Sequence, residues 1–233
     1  MNDRDDPLAA VAVALDTADR ATFDRWLELF GPRVGVLKVG LEAFVRWGPP
    51  AVEAARRHAR ALFLDLKLHD IPNTVAGAVR SACDLGVDYL TIHASGGRAM
   101  IAAATEAAAG RLTILAVTVL THLDEPALAE LDLAGSSGDR AAGWSVLARE
   151  AGAGGVVCSP LELARLRPLH PPPFRLVTPG IRPAGGGSDD QRRTATAGAA
   201  IDAGADLLVI GRPLTQAVDP ERALAAIAAE IRR

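Results

Sequence analysis

Of the 25 lysines and arginines in this 233-residue chain, only Lys38 and Lys67 are lysine. Wherever a positive charge alone is wanted the protein uses arginine, so these two positions are ones where a guanidinium would fail. Lysine is a compact ammonium that can give up its proton, whereas arginine stays protonated throughout the accessible pH range. The retained pair points to proton transfer or to close packing between carboxylates. In the segment 61–68, ALFLDLKL, a period of two puts the leucines on one face and Asp65 with Lys67 on the other, and His69 follows if the strand continues. Charges opposite a wall of leucines persist only when paired or used. A purely structural ion pair is the competing reading.

The elements that must hold these groups are legible as alternation. Short apolar, β-branched runs over 9–15, 34–39, 61–67, 87–93, 112–118, 154–158, 174–178 and 206–210 alternate with Ala/Arg/Glu-rich stretches of helical period. The returns are punctuated by Gly86-Val87-Asp88 and Gly204-Ala205-Asp206. Eight such units with no break in composition predict one domain over 1–233, a single (β/α)8 TIM barrel of the α/β class. An open doubly wound sheet would show a Gly-rich fingerprint after the first strand, where this chain reads Leu15-Asp16-Thr17-Ala18-Asp19. In a barrel the chemistry sits at the C-terminal strand ends. Those ends carry Asp16, Lys38, Asp65 with Lys67, His93, Thr118 and, after strand eight, Gly211-Arg212.

Composition narrows the classes. A formal charge of −3, no basic face and no finger spacing give macromolecular nucleic acid little support, while a single nucleotide stays open as a ligand. The acidic start and an apolar run that stops at Asp16 predict neither a signal peptide nor a membrane span, hence a soluble cytoplasmic protein. Cys83 and Cys158, far apart, predict neither a disulfide framework nor a zinc site. His58 and His170 read as surface residues of a helix and a loop, and His93 and His122 have no companions at metal-ligand spacing.

The segment from Asp65 to Thr74, DLKLHDIPNT, resembles the D-x-K-x-x-D and I-P-N-T signature of the orotidine 5′-monophosphate decarboxylases. The likeness continues in family order through ALD at Asp16, LKVG around Lys38, the T-x-L-T ending at Thr121, PGIR ending at Arg182, Gln191, and IGRP from Ile210 to Pro213. Leu68, where relatives often carry Phe, and a longer Gly-rich loop are the visible departures. The resemblance implies a charged tetrad of Lys38, Asp65, Lys67 and Asp70, with Asp70 acting across the interface of a homodimer. It makes Lys67 the donor of a proton to C6 of the pyrimidine as carbon dioxide leaves. Asp16 and Thr74 are then expected at the ribose, Thr121 and Gln191 at the pyrimidine edge, and Arg182, Gly211, Arg212 and Gln191 at the phosphate. No cofactor and no metal is implied. The carbanion left at C6 has no electron sink in the ring, so a preorganised ammonium in a site closed to water must stabilise it. Gly185-Gly186-Gly187 suggests that the segment 182–191 is a lid, where a merely mobile loop is the alternative.

Other readings remain at this point. Related barrels that decarboxylate 3-keto-gulonate 6-phosphate or make hexulose phosphate also carry D-x-K-x-x-D. They use magnesium, commonly place Glu where this chain has Lys38, and lack I-P-N-T. A Schiff-base aldolase needs a neutral lysine, which flanking aspartates oppose. A nucleotide-binding barrel without catalysis is the reading from another class.

Overall fold

The computed structural model describes residues 6–133, 135–183 and 193–232. The strands are β1 Val11–Ala14, β2 Val36–Val39, β3 Ala61–Leu68, β4 Tyr89–His93, β5 Thr113–Val117, β6 Gly155–Val157, β7 Arg175–Thr178 and β8 Leu207–Ile210. They pair in parallel, in chain order, and β8 returns to β1 to close a barrel. Each begins and ends within two residues of the expectation read from the sequence.

The connecting helices are α1 Arg20–Phe30, α2 Leu41–Trp47, α3 Pro49–Arg56, α4 Pro72–Asp84, α5 Gly97–Ala108 and α6 Glu125–Glu130. They continue with α7 Ser137–Glu150, α8 Leu163–Leu166, α9 Ala197–Asp202, α10 Arg212–Thr215 and α11 Pro220–Ile231. Helix starts carry side-chain acceptors for backbone N–H groups that have no intrahelical partner. Asp19 accepts from Thr22 N at the start of α1, Ser136 from Asp139 N at α7, and Asp219 from Arg222 N at α11.

Two apolar layers result from the strand alternation. Leu62 and Leu64 of β3, with Val11, Val13, Leu37, Val39, Leu90 and Ile92, pack outward against the helices. Ala12, Val36, Phe63, Leu115, Val177 and Leu207 fill the barrel interior, where Tyr89 meets Phe63 edge-on at 6.1 Å between ring centroids. The interior is therefore a plugged core and not a pore through the barrel. At the opposite end the two Gly-x-Asp returns repeat one device. Asp88 Oδ2 accepts from Leu62 N of β3 and pairs with Arg56, and Asp206 Oδ2 accepts from Leu176 N of β7 and pairs with Arg167.

His170 corrects the sequence reading. It is fully buried, its Nε2 is 2.7 Å from Ser145 Oγ, and its ring stacks on Phe174 at 4.6 Å. The polar, proline-rich surroundings that suggest a surface loop fold over this ring, and burial pushes its pKa down to about 4, with Arg149 and Arg167 adding to the effect. His58 is exposed, as expected.

Candidate active site

A cavity of about 450 Å³ opens at the C-terminal end of the strands. Its floor is the top of the barrel core, Phe63, Val117, Val157 and Val209; Lys38 of β2 and Asp65 and Lys67 of β3 rise from the strands themselves, and the rim comes from the loops beyond β1, β5, β6, β7 and β8. Asp16, Lys38, Asp65, Lys67, Thr121, Arg182, Gly211 and Arg212 all line it. Sequence positions spread over nearly 200 residues converge here because parallel strands present all their C-terminal ends on one face.

Asp65 is the hub. Its Oδ2 lies 3.0 Å from Lys38 Nζ and its Oδ1 2.8 Å from Lys67 Nζ, so one carboxylate holds two ammonium groups by opposite oxygens. Asp16 Oδ2, 3.6 Å from Lys38 Nζ, completes the anionic side. Asp65 and Lys38 are buried. Burial alone would raise the carboxyl pKa of Asp65, but the charges of Lys38 and Lys67 outweigh it and hold it well below the usual carboxylate range. Burial alone would also discharge Lys38. The attractions of Asp65 and Asp16 win, and its pKa is raised above the ordinary lysine value. The result is a chain of alternating charge, fixed before any ligand arrives, on an apolar floor where screening is weak.

Local backbone geometry serves this arrangement in ways the alternating sequence does not announce. Pairing of β3 with β4 jumps from Leu64↔Leu90 to Leu68↔Ile92, a bulge that falls on Asp65, Leu66 and Lys67. Lys67 adopts φ +49°, a left-handed conformation uncommon for a residue with a side chain. Its N–H is satisfied by Thr91 Oγ1 at 2.9 Å, and the Thr91 hydroxyl donates to Asp65 Oδ1 at 2.9 Å. Just beyond β2, Gly40 clears space: a Cβ there would stand 2.1 Å from Asp16 Oδ1 and 3.2 Å from Lys38 Nζ.

Asp70 and Thr74 lie outside this cavity. Both are exposed at the start of α4, where Asp70 Oδ1 accepts from Ile71 N. Gln191 and the glycines at 185–187 lie outside the described residues, as does most of the segment 182–191. Thr118 is buried and donates its hydroxyl to Val157 O beneath the cavity. His93, half-buried, has its pKa lowered by burial and by the neighbouring His69, whose ring is 5.4 Å away. Sequence reasoning missed Thr91, and with it Thr215 and Gln216 on the cavity wall beyond β8. Thr91 had a signal: it is the polar inward position of β4, next in the sheet to Asp65. Cys158 also lines the cavity, but burial, with Glu162 adding to it, pushes its thiol up to about 12, so it offers no thiolate.

Among the described residues no three His, Cys, Asp or Glu side chains cluster as a metal site, and no helix is long and apolar enough to cross a membrane. Residues 9–227 match the family model described as orotidine 5′-phosphate decarboxylase / HUMPS family. The chain is 54% identical to the orotidine 5′-phosphate decarboxylase of Thermobifida fusca (strain YX) over 97% of both chains. It is 50% identical to the protein of that name from Anaeromyxobacter sp. (strain K), over 96% of this chain and 98% of the relative. A crystal structure of orotidine 5′-phosphate decarboxylase from Lactobacillus acidophilus superposes with a TM-score of 0.83 at 33% identity, covering 96% of this chain and 99% of that one.

Proposed function

The chain belongs to the orotidine 5′-phosphate decarboxylase / HUMPS family, and from that premise we propose how its mouth cavity converts orotidine 5′-monophosphate to uridine 5′-monophosphate and carbon dioxide, the last step of de novo UMP synthesis. The observation that carries the reading is the Asp65 carboxylate pinned between two ammonium groups at the cavity floor.

The substrate lies with its C6 carboxylate toward Asp65 and its C6 within reach of Lys67. As the bond from C6 to the carboxyl carbon breaks, its electron pair stays on C6 and carbon dioxide departs. Lys67 Nζ then gives a proton to C6, forming the C–H bond of the product, and the neutral amine regains its proton from solvent. Lys38, held charged by Asp65 and Asp16, and Lys67 supply fixed positive charge where negative charge develops, so little reorganisation is needed during reaction. Arginine at position 67 would supply charge but no usable proton.

Binding energy far from C6 orients the ring. Arg182, Arg212 and the backbone N–H of Gly211 hold the phosphate, and the family resemblance adds Gln191 as a contact. Phosphate beyond β7 and β8 is usual for this fold. Asp16 takes the ribose and Thr121 the pyrimidine edge. Asp70 acts in the cavity of a second copy, so the working unit is a homodimer, and Thr74, one helical turn beyond, goes with it to the ribose. Support comes from the exposure of both residues outside their own cavity and from Ile71 between them, 67% exposed.

The magnesium-dependent sugar-phosphate reaction is not favoured. Lys38 occupies the β2 position where those enzymes commonly carry Glu, and it engages both Asp16 and Asp65. The deciding experiment follows orotidine 5′-monophosphate absorbance in excess EDTA and identifies the product. Undiminished turnover to uridine 5′-monophosphate is the expected result. Turnover that EDTA abolishes, or none by folded protein, refutes the reading.

A further inference from the structure

Thr91 has none of its surface exposed and does not line the cavity, yet both partners of its hydroxyl belong to the charged site. It accepts from the backbone N–H of Lys67 at 2.9 Å and donates to Asp65 Oδ1 at 2.9 Å, the same oxygen that receives Lys67 Nζ at 2.8 Å. One hydroxyl thus ties the main chain of the lysine to the carboxylate that anchors its side chain. The tie falls where the sheet cannot supply one. Between Leu64↔Leu90 and Leu68↔Ile92 the regular register lapses, and Lys67 is held at φ +49° in the bulge. A left-handed lysine of this kind persists only when its surroundings over-determine it.

We propose that Thr91 is a positioning residue for the proton transfer. By fixing the Asp65 rotamer and the Lys67 backbone together, it sets the point in the cavity from which Nζ delivers its proton. The role rests on the reading of Lys67 as donor to C6. Asp65 Oδ1 has two donors, and with the hydroxyl gone it keeps the mobile ammonium and loses the rigid one. The carboxylate is then held by the two lysine side chains alone, and the lysine backbone loses the acceptor that holds its bulge. Misplacement of a reacting group by about an ångström costs on the order of a hundredfold in rate.

Thr91→Val keeps the shape and removes the hydroxyl, Thr91→Ser keeps the hydroxyl and removes a methyl, and Thr91→Cys is a second probe with a weak donor. For each, kcat and KM for orotidine 5′-monophosphate are measured together with Kd for uridine 5′-monophosphate, which reports an intact cavity. Thr91→Val is expected to lower kcat about ten- to a hundredfold with KM and Kd little changed, Thr91→Cys to fall between, and Thr91→Ser to restore most of the rate. Three outcomes overturn the role: a normal kcat in Thr91→Val, a change confined to KM, or equal losses in the valine and serine variants, which would make the methyl packing responsible. If Thr91→Val binds no uridine 5′-monophosphate, the order of Thr91→Cys and Thr91→Ser decides by the same criteria. Failure of the wild-type chain itself to turn over would remove the reaction and the role together, and is thereby distinct from a working enzyme indifferent to Thr91.

Discussion

Replacing Asp65 by Asn tests whether one carboxylate sustains the site, because it keeps the side chain's shape and removes its charge. Two ammonium groups now 3.0 and 2.8 Å from that carboxylate would be left facing each other. Asp16 at 3.6 Å, itself half exposed to solvent, would be the remaining anion beside Lys38. Breaking a buried pair by removing one partner costs about 3–5 kcal/mol, which should move a urea midpoint down by about 1–2 M at the slope usual for unfolding. The pH dependence carries the sharper signature. In the wild-type protein the raised pKa of Lys38 is a stability contribution fully present below the ordinary value of 10.5 and lost only as pH rises through the higher folded value. The depressed pKa of Asp65 contributes above 3.8 and is lost as pH falls through its lower folded value. Both contributions are therefore intact at pH 7. In Asp65→Asn, burial and repulsion from Lys67 dominate at Lys38, so its folded pKa drops below 10.5 and stability rises with pH up to that value. Urea titrations at pH 7 and pH 9.5, at fixed protein concentration, read this directly. A variant as stable as wild type at pH 7, with no gain toward alkaline pH, would refute the claim that Asp65 holds the buried Lys38 charged beside Lys67.

Gly40→Ala introduces a Cβ 2.1 Å from Asp16 Oδ1; the carboxylate must swing away from Lys38 and the ribose position, and kcat/KM should fall about tenfold or more while the melting temperature changes little. Lys67→Ala and Asp70→Ala homodimers, each inactive, should regain activity when mixed and allowed to exchange subunits, because half of the dimers then carry one complete site of two, giving about a quarter of wild-type activity; no recovery after demonstrated exchange would remove Asp70 from the neighbouring site. His170 has its pKa pushed down to about 4, so the unfolded chain binds its proton first and stability should fall as pH drops from 6.5 toward 4, by at most about 1.4 kcal/mol per pH unit. His170→Gln should flatten that slope in denaturant titrations, and an unchanged slope would assign it to other groups.

The barrel was legible because its information is periodic. Alternation in β3 separates Leu62 and Leu64, which face the helices, from Phe63 and Asp65, which face inward, and the scarcity of lysine marks Lys38 and Lys67 from composition alone. Periodicity names a face but not a cross-strand register. The bulge at Lys67 and the hydroxyl of Thr91 that fills it arise from pairing between β3 and β4, and the run DLKL alternates as evenly as an unbroken strand would. His170 escaped for a related reason: its burial depends on Ser145 and Phe174, reached only once α7 and the approach to β7 pack together. Asp70 and Thr74 are exposed and do not line their own chain's cavity; in the proposed homodimer a second copy would give them a place in the chemistry, which no pattern within one chain can display.

The single most informative experiment compares turnover of orotidine 5′-monophosphate by the wild-type protein and by Lys67→Arg, with uridine 5′-monophosphate binding measured on both. The arginine variant should bind the product and lose decarboxylation, since it keeps the charge and cannot yield the proton. Near-normal turnover by Lys67→Arg would show that the proton reaches C6 from elsewhere.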